Sequence, residues 1–353
     1  MPKSKIRGQV QTVLGPISPD KLGVTHTHEH LLIDMMCYFE MPEEASERAW
    51  VDAKLTMDRI GGATRRFSHF PDAIRLLDVG MAIEQVLTFK HAGGNSLVDT
   101  TNIGLGRDPL ALARISRATG LNVIMGSSYY VPNSYPADMD KISEQSITDR
   151  IVRDVTVGVG DTGIKSGVIG EIGNFWPTNP NTLKVLRASA HAAVETGATI
   201  LIHPGFHADS PPSIIDTLTK AGADAKRIIM GHLDMFTYDF VWLKDLAQTG
   251  CFLEWDVFGL EDTTLAGGNL SSTRVASDVQ RMEAIEYIIG EGFGDRVLIG
   301  HDVCTKLQYT RYGGKSYSHI LENIVPRMRK RGFTETAIHA ILVNNPKSAL
   351  TFV

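Results

Sequence analysis

Three histidines stand at every second position of the stretch VTHTHEHLLID, residues 24–34. Alternate residues of a strand project to the same face, so His26, His28 and His30 would place three imidazoles on one surface, where neutral imidazoles can share a metal ion. A buried face of unpaired polar rings is costly, and a bound ion would offset that cost. The spacing alone leaves open whether the ligand pair is 26/28 or 28/30.

Six candidate metal ligands occupy equivalent places in the sequence pattern, because each lies at the end of a short run of apolar and β-branched residues. They are His28, His30, Glu171, His203, His232 and Asp302. A single histidine or acid among 12 His and 40 acidic residues is more often a surface group than a ligand, so the signal lies in their joint placement. Four imidazoles and two carboxylates form a ligand set for two divalent ions, Zn(II) or else Mn(II), Co(II) or Fe(II), which Glu171 can bridge.

Eight β-branched runs alternate with amphipathic stretches along the chain. The runs cover residues 23–30, 95–101, 122–128, 166–173, 198–204, 227–233, 251–257 and 296–302, and the helical patterns include 109–120, 183–197 and 274–292. Repeated βα units of this number predict an α/β fold, a (β/α)8 TIM barrel, rather than a doubly wound open sheet. The carboxyl ends of all eight strands then meet at one mouth, which becomes the predicted binuclear metal site.

The domain organisation expected from the sequence is one hydrolase barrel domain over residues 1–353. Residues 1–22 form an N-terminal extension, and no linker or repeat marks a second domain. The connections 34–83 and 257–274 are too long for ordinary turns. Both leave the carboxyl end of a strand, so we expect lids or binding elements at the catalytic face.

Composition restricts the partners. The formal net charge is −5 with Lys and Arg scattered along the chain, which argues against nucleic acid and against an anionic membrane surface. There is no apolar run of roughly 18 residues and no signal-peptide pattern, and the three cysteines are far apart. We therefore expect a cytoplasmic protein with a small-molecule substrate; a homodimer is compatible with the sequence, although no segment announces one.

Several further residues follow strands without belonging to the ligand set. Tyr130 and Trp176 come after the third and fourth strands and His207 after the fifth, where side chains of a barrel contact substrate. Each has a plainer alternative, which is packing of the lid for the aromatic residues and a solvated loop for His207. Glu29 and His301 alternate out of phase with the ligands, so we expect them to pack against the helix layer. His26 is expected deeper in the barrel.

At these residues the sequence resembles the phosphotriesterase family of the amidohydrolase superfamily, and most closely its phosphotriesterase-related branch. The resemblance rests on the ordered motifs VQTVLGPISPDKLGVTHTHEHL, GVIGEIGNFWP, LIHPG, GHLD, LEWDVFG and HDVCTKLQYTRYGGKSYSHI. It implies that His28 and His30, rather than His26, are the first-strand ligands and that they hold the more buried metal with Asp302. It also implies that His203 and His232 hold the outer metal, and that Glu171 bridges both in the place of the carbamylated lysine of other members.

The resemblance further implies an activity. Val257 stands where phosphotriesterases carry a proton-relaying histidine, which disfavours organophosphate hydrolysis as the main reaction. The related branch is associated with amide hydrolysis of N-acyl amino-sulfonates such as N-acetyltaurine, so an N-acyl taurine or N-acyl amino acid is the expected substrate. A metal-bridging hydroxide would attack the carbonyl, with Asp302 as catalytic proton shuttle. The alternatives are a lactonase or esterase, a promiscuous phosphotriesterase, a mononuclear deaminase-like site and a silent binding protein.

Overall fold

Strands and helices alternate along nearly the whole chain in the computed structural model, which describes residues 6–261 and 274–353. The strands are Val10–Thr12 (β1), Gly15–Ile17 (β2), Thr25–Glu29 (β3), Ile33–Asp34 (β4), Arg75–Leu76 (β5), Ser96–Asp99 (β6), Asn122–Met125 (β7), Ile169–Gly173 (β8), Ile200–His203 (β9), Ile228–Met230 (β10), Phe252–Trp255 (β11) and Val297–Ile299 (β12). Each of the eight predicted runs contains one of these strands.

Helices fill the intervals between the parallel strands. They are Ala45–Arg48 (α1), Ile60–Arg65 (α2), Val79–His91 (α3), Pro109–Thr119 (α4), Glu144–Thr156 (α5), Pro180–Thr196 (α6), Ser210–Lys220 (α7), Phe240–Gln248 (α8), Asp278–Gly290 (α9), Val325–Arg331 (α10), Glu335–His339 (α11) and Asn345–Leu350 (α12). None of the helices within 6–261 and 274–353 is long and apolar enough to cross a membrane.

Helix α4 shows how the sequence sets these boundaries. The side chain of Asp108 accepts a hydrogen bond from the backbone N–H of Ala111 at 3.0 Å, and Pro109 occupies the first turn, where no backbone donor is needed. At the other end, Gly120 adopts φ 67°, a left-handed conformation that a residue without Cβ reaches at little cost. The helix therefore begins and ends where the sequence pattern predicts.

The eight parallel strands follow one another around the barrel in chain order. Strands β3, β6 and β7 pair in one group and β8 to β12 in another. Reciprocal hydrogen bonds of 2.9 Å between Ser127 and Gly170 join β7 to β8, and the N–H of Asp302 donates to the carbonyl of His28 at 3.2 Å to join β12 to β3. The predicted (β/α)8 barrel is confirmed by this topology.

The end of the barrel at which the strands begin is closed by both ends of the chain. One apolar residue from each of six strands packs in the interior cluster: Val98, Ile124, Leu201, Ile229, Phe252 and Leu298. Val10 from the β1–β2 hairpin and Leu350 from α12 belong to the same cluster. Gly8 donates a backbone hydrogen bond to Phe352 at 2.8 Å, and Phe352 donates one to Gln9 at 2.9 Å. The N-terminal extension is thus part of the core at this end.

The segment 34–83, expected as a lid, is folded and attached at two places. Its flanks pair as the antiparallel strands β4 and β5. Within it, Asp72 accepts a hydrogen bond from the N–H of Leu55 at 2.9 Å and forms an ion pair of 2.9 Å with Lys306, which follows β12. The other predicted loop, 257–274, lies outside the described residues from 262 to 273.

Candidate metal centre

Glu171, in β8, lies at the middle of the candidate site, and its side chain is buried. Its Oε1 is 2.9 Å from His203 Nδ1 and 3.1 Å from His232 Nε2. Its Oε2 is 3.6 Å from the Nε2 atoms of both His28 and His30. Each carboxylate oxygen therefore faces a different histidine pair, which is the arrangement that a carboxylate bridging two cations requires.

Two buried atoms at this point have no hydrogen-bond partner among the described residues. They are Glu171 Oε2 and His28 Nε2, which face each other across 3.6 Å. An unpaired buried polar group is costly, and a divalent cation between a carboxylate oxygen and an imidazole nitrogen would satisfy both. These donors fit the metal ions that the sequence predicts, because imidazole and carboxylate are the usual protein ligands of zinc.

Asp302 joins the site from the end of β12. Its Oδ1 is 3.1 Å from His30 Nε2 and 3.9 Å from His28 Nε2, so these three side chains offer ligand atoms to one ion. The backbone of Asp302 is left-handed, with φ 47°, and His232 also adopts φ 54°. Such conformations are strained for residues other than glycine and cluster at functional sites. Both residues are candidate ligands, which supports a role for that strain in aiming their side chains.

Partners behind the histidines set which nitrogen faces the centre. Asp256 Oδ1 is hydrogen-bonded to His232 Nδ1 at 2.7 Å, and its Oδ2 lies 2.9 Å from His28 Nδ1. Thr101 donates its hydroxyl hydrogen to a backbone carbonyl, so it accepts from His30 Nδ1–H at 2.8 Å. The hydrogen bonds at Nδ1 of His30 and His232 thereby direct the Nε2 atoms of these rings to the centre, and His28 Nε2 faces the same point.

Asp256 is a functional candidate that the sequence interpretation missed. It follows Glu254 by two positions at the end of the seventh run, the same alternation that identified the first-strand histidines. That spacing was the available signal.

The charges of the centre reinforce one another. Burial disfavours the ionised carboxylates of Glu171 and Asp256, but the imidazoles around them outweigh that effect and hold both pKa values well below the usual range. Burial likewise opposes protonation of His28 and His232, yet the adjacent carboxylates raise the pKa of each well above its ordinary value. Burial and the neighbouring His232 lower the pKa of His203. The carboxylates of the site therefore keep their negative charge, which attracts cations.

A second group of the same residue types lies behind β3. His301 Nε2 accepts the backbone N–H of Ile320 at 3.0 Å, so its protonated Nδ1 donates to Glu29 Oε1 at 2.7 Å. The ring of His26 packs at 4.4 Å between centroids against Phe89 of α3. Glu29 and His301 do pack toward the helices, as expected. The position expected for His26 was wrong: β3 shifts register between residues 26 and 29, and this turns His26 to the helix side.

The same group holds Asp302 in place. Glu29 accepts backbone hydrogen bonds from His301 at 3.0 Å and from Val303 at 3.3 Å, the two neighbours of Asp302 in the chain. Gln308 donates its side-chain N–H to the Asp302 carbonyl at 2.8 Å. The strained backbone at Asp302 is thus fixed from both sides.

A cavity of about 290 Å³ opens onto the centre and is lined in part by His203, His232 and Asp302. Its wall is mainly apolar and includes Met35, Phe67, Tyr130, Phe206, Val257 and Phe258. The hydroxyl oxygen of Tyr130 lies 3.2 Å from His203 Nδ1 and accepts a hydrogen bond from the Tyr38 hydroxyl at 3.1 Å. Burial raises the pKa of Tyr130 well above its usual value. The volume is at the small end of the range for small-molecule sites.

Trp176 and His207, two of the three candidate substrate contacts, do not line this cavity. Their rings stack on each other at 5.5 Å with an interplanar angle of 12°, and the His207 side chain is about half exposed. Phe206 takes the inward position instead, with its ring 5.2 Å from that of His203. Of the three candidates, only Tyr130 lines the cavity. Phe206 also lines it, and the periodicity of the sequence gives no signal that would have identified this residue.

Known proteins match this chain over almost its entire length. A model of the phosphotriesterase family matches residues 8–350. Over 350 residues, the chain is 39% identical to the N-acetyltaurine hydrolase of Danio rerio, with 99% of each covered, and 39% identical to a phosphotriesterase-related protein of Nematostella vectensis, with 98% and 99% covered. A solved resiniferatoxin-binding protein from Rhodobacter sphaeroides superposes with a TM-score of 0.94 at 33% identity, covering 99% of this chain and 97% of the other. The chain belongs to the phosphotriesterase family.

Proposed function

We propose that the chain is a binuclear metal-dependent hydrolase that cleaves the amide bond of a small N-acyl substrate, with N-acetyltaurine as the first candidate. The observation that carries this proposal is the orientation of Glu171, whose two oxygens face two separate histidine pairs. A mononuclear site would need only one of these pairs. Zinc is the first candidate metal because nitrogen and oxygen ligands of this kind suit it, with manganese, cobalt and iron as alternatives.

The proposed ligand assignment follows the distances. His28, His30 and Asp302 would hold the inner ion, His203 and His232 would hold the outer one, and Glu171 would contribute one oxygen to each. When bound there, two divalent ions would supply an activated water, whose pKa falls from ~15.7 toward ~7, and would polarise the substrate carbonyl.

Asp302 is the proposed proton carrier. Its carboxylate lines the cavity and is 17% exposed, whereas Glu171 is almost completely buried. Asp302 is therefore placed where it would accept a proton from an attacking water and return it to the leaving nitrogen. Glu171, with both oxygens directed at histidines, has a structural and electrostatic role.

Tyr130 is proposed to bind the substrate oxygen. Its hydroxyl accepts a hydrogen bond from Tyr38, so its own hydrogen is directed elsewhere, toward His203 or a ligand. Because burial raises the pKa of both phenols, they stay neutral donors at physiological pH. A neutral donor at the cavity wall stabilises negative charge that develops on a carbonyl oxygen.

The choice of an amide substrate rests on the relatives and on the cavity. The curated relatives include N-acetyltaurine hydrolases at 37–39% identity with nearly complete coverage. Val257 lines the cavity at the place where the phosphotriesterases have a relaying histidine, and this supports an acyl rather than an organophosphate substrate. A lactone or ester would meet the same centre, so the leaving group has to be determined by assay.

Three further features belong to the proposal. Residues 1–353 act as one catalytic domain, the protein resides in the cytoplasm, and a homodimer is compatible with activity. Support for the compartment comes from three free thiols, at Cys37, Cys251 and Cys304.

Elemental analysis combined with a substrate panel tests the proposed function. The panel contains N-acetyltaurine, other N-acetyl amino acids, a lactone, an aryl ester and paraoxon. We expect about two metal ions per chain and the highest kcat/KM for an amide. One ion per chain would favour a mononuclear site, faster lactone or ester turnover would move the substrate class, and no turnover after reconstitution with zinc, manganese or cobalt would contradict the proposal.

A further inference from the structure

We propose that Lys315 binds the anionic end of the substrate, and that this end is a tetrahedral oxyanion such as a sulfonate. The inference rests on the proposed function in so far as the cavity beside the metal centre is taken as the substrate site. It adds to that function the residue that selects a charged substrate over a neutral one.

Lys315 is unusual in its surroundings. Within the described parts of the chain it is the only lysine or arginine that lines the cavity, whose wall is otherwise mainly apolar. The same cavity is lined by His203, His232 and Asp302, so a small molecule within it lies between the centre and Lys315. A single cationic side chain at the wall of a mainly apolar cavity is a common means of orienting a small ligand.

The aliphatic part of Lys315 is fixed by packing against the backbone of Gly259. A Cβ atom at Gly259 would lie 3.2 Å from Lys315 Cδ and 3.4 Å from its Cβ, and Gly259 also adopts φ 95°. Glycine is therefore required here both by its backbone conformation and by the close approach of the lysine. Packing of this kind lowers the entropy that the side chain would lose when it binds an anion.

The ammonium group itself retains its donors. Lys315 Nζ lies 3.6 Å from Asp278 Oδ2 and 3.6 Å from Glu261 Oε1, beyond hydrogen-bond distance in both cases, and it has no hydrogen bond to any other described residue. The two carboxylates hold the charge in position by Coulomb attraction without occupying its hydrogens.

Asp278 is already engaged by stronger partners. Its Oδ1 accepts from Arg281 at 2.7 Å and from the N–H of Gly259 at 2.9 Å, and its Oδ2 is bonded to His319 at 2.7 Å. Because Arg281 and His319 take the hydrogen-bonding positions of this carboxylate, Lys315 is not its principal counter-ion. The positive charge at the cavity wall therefore remains available to a ligand.

The identity of the cation favours a tetrahedral anion. Arginine presents a planar fork that matches a carboxylate with two parallel hydrogen bonds, whereas a lysine ammonium is a compact charge with three rotatable donors. A sulfonate has no preferred plane, so replacing a guanidinium by an ammonium group sacrifices less hydrogen bonding to a sulfonate than to a carboxylate. We therefore expect the order sulfonate, carboxylate, neutral tail when the acyl group and the spacer are kept constant.

The test compares three acetamides with the same two-carbon spacer: N-acetyltaurine, N-acetyl-β-alanine and N-acetylethanolamine. Metal-loaded wild type, Lys315→Met and Lys315→Arg are assayed on each. Lys315→Met should lower kcat/KM for N-acetyltaurine by about 10- to 100-fold, mainly through KM, because a charge-assisted hydrogen bond is lost. Activity on N-acetylethanolamine should stay within about twofold, and Lys315→Arg should restore part of the loss.

Arg311→Met is the matched control. Arg311 belongs to the same loop, its side chain is 58% exposed and it does not line the cavity, so the substitution removes the same charge from outside the site. It should leave both charged and neutral substrates within about twofold of the wild type. Equal losses on charged and neutral substrates with Lys315→Met would show a structural role and overturn the proposal, as would no loss on either.

A matching pair of esters separates this inference from the proposed amide activity. The esters are O-acetyl isethionate, which carries a sulfonate, and 2-hydroxyethyl acetate, which is neutral. If amides are not cleaved but the charged ester is preferred in a Lys315-dependent manner, the amide assignment fails and the Lys315 proposal holds. If nothing is cleaved, calorimetry with N-acetyltaurine decides: binding to the wild type that Lys315→Met weakens supports the proposal, and equal or absent binding overturns it.

Discussion

Two clusters of histidine and carboxylate lie on opposite sides of β3. The inner cluster, His28, Glu171, His232 and Asp256, faces the barrel interior, and the outer cluster, His26, Glu29 and His301, faces the helices. Both are buried, and each contains three residues whose ligand atoms lie within reach of one ion: His28, Glu171 and His232 in the inner cluster, and His26, Glu29 and His301 in the outer one. The pKa values of the two clusters shift in opposite directions. In the inner cluster the imidazole pKa values are raised and the carboxylate pKa values are lowered. In the outer cluster the pKa values of His26 and His301 are lowered and that of Glu29 is raised.

The difference shows that proximity of ligating residue types does not make a metal site. In the outer cluster, burial dominates and favours neutral imidazoles. The backbone N–H groups of Ile320, Val303 and His301 donate to His301 and Glu29, whereas both ring nitrogens of His26 have no hydrogen-bond partner among the described residues. In the inner cluster, Asp256 and Glu171 are carboxylates whose charge is retained, and lone pairs of several rings converge on one point. The direction of the lone pairs, set by partners behind the rings, distinguishes the two.

Removal of metal gives the largest expected effect. A chelator such as EDTA should abolish hydrolysis, and zinc, manganese or cobalt should restore it, because the inner cluster alone requires ions for its chemistry. The measurement is activity together with metal content after dialysis. The variant His26→Asn should still bind about two ions per chain. A drop by one ion in that variant would place a metal in the outer cluster and break the comparison.

Asp302→Asn should give the next largest effect. The amide keeps the size of the side chain but does not carry a proton at neutral pH, so kcat should fall by about 10²- to 10⁴-fold. Metal content should remain close to two per chain because five of the six proposed ligands are unchanged. An unaltered kcat would refute the role of Asp302 as proton carrier.

Asp256→Asn and Glu29→Gln form a matched pair of carboxylate-to-amide changes, one in each cluster. Asp256 orients His28 and His232, so its loss should weaken metal affinity by about 10- to 100-fold. Glu29→Gln should leave metal affinity within about threefold and lower the free energy of unfolding by roughly 1–3 kcal/mol, since backbone donors lose an acceptor. Metal competition with a chelator and urea unfolding measure the two effects. Similar metal affinities in both variants would contradict the comparison.

Acidification should affect the outer cluster through the free energy of unfolding. Burial lowers the pKa of His26 from 6.5 to about 4, so between these values the unfolded chain binds a proton that the folded one does not. The contribution of His26 to the free energy of unfolding, on the order of 3 kcal/mol, is therefore present above pH 6.5 and is lost as the pH falls toward 4. Urea unfolding of the wild type and of His26→Asn between pH 7.5 and 4.5 measures it. Parallel pH profiles would show that His26 does not titrate in this way.

The sequence predicts the barrel and the candidate ligands because both depend on short-range periodicity. Strands alternate with helices, and residues that end parallel strands must meet at one mouth, whatever their distance along the chain. The orientation of His26 is not predictable in this way, because a single register shift in β3 reverses the face on which it lies. The partnership of Asp256 with two histidines depends on the pairing of three strands around the barrel, which no local pattern contains.

Loop conformations account for the remaining differences. Phe206 and His207 are neighbours in the same connection, and only the folded backbone decides which of them turns toward His203. The sequence selects the chemically reactive residue, whereas the structure brings the apolar one to the cavity.

The pairing of Gly8 and Gln9 with Phe352 places these two segments on the floor of the barrel, away from the mouth. Either segment is therefore a suitable point for attaching the protein to a bead, an electrode or a fused carrier. Immobilised in this way, every molecule would present its open face to the flowing solution. Substrate delivery would then depend on flow and diffusion rather than on the random orientation of the molecules on the support.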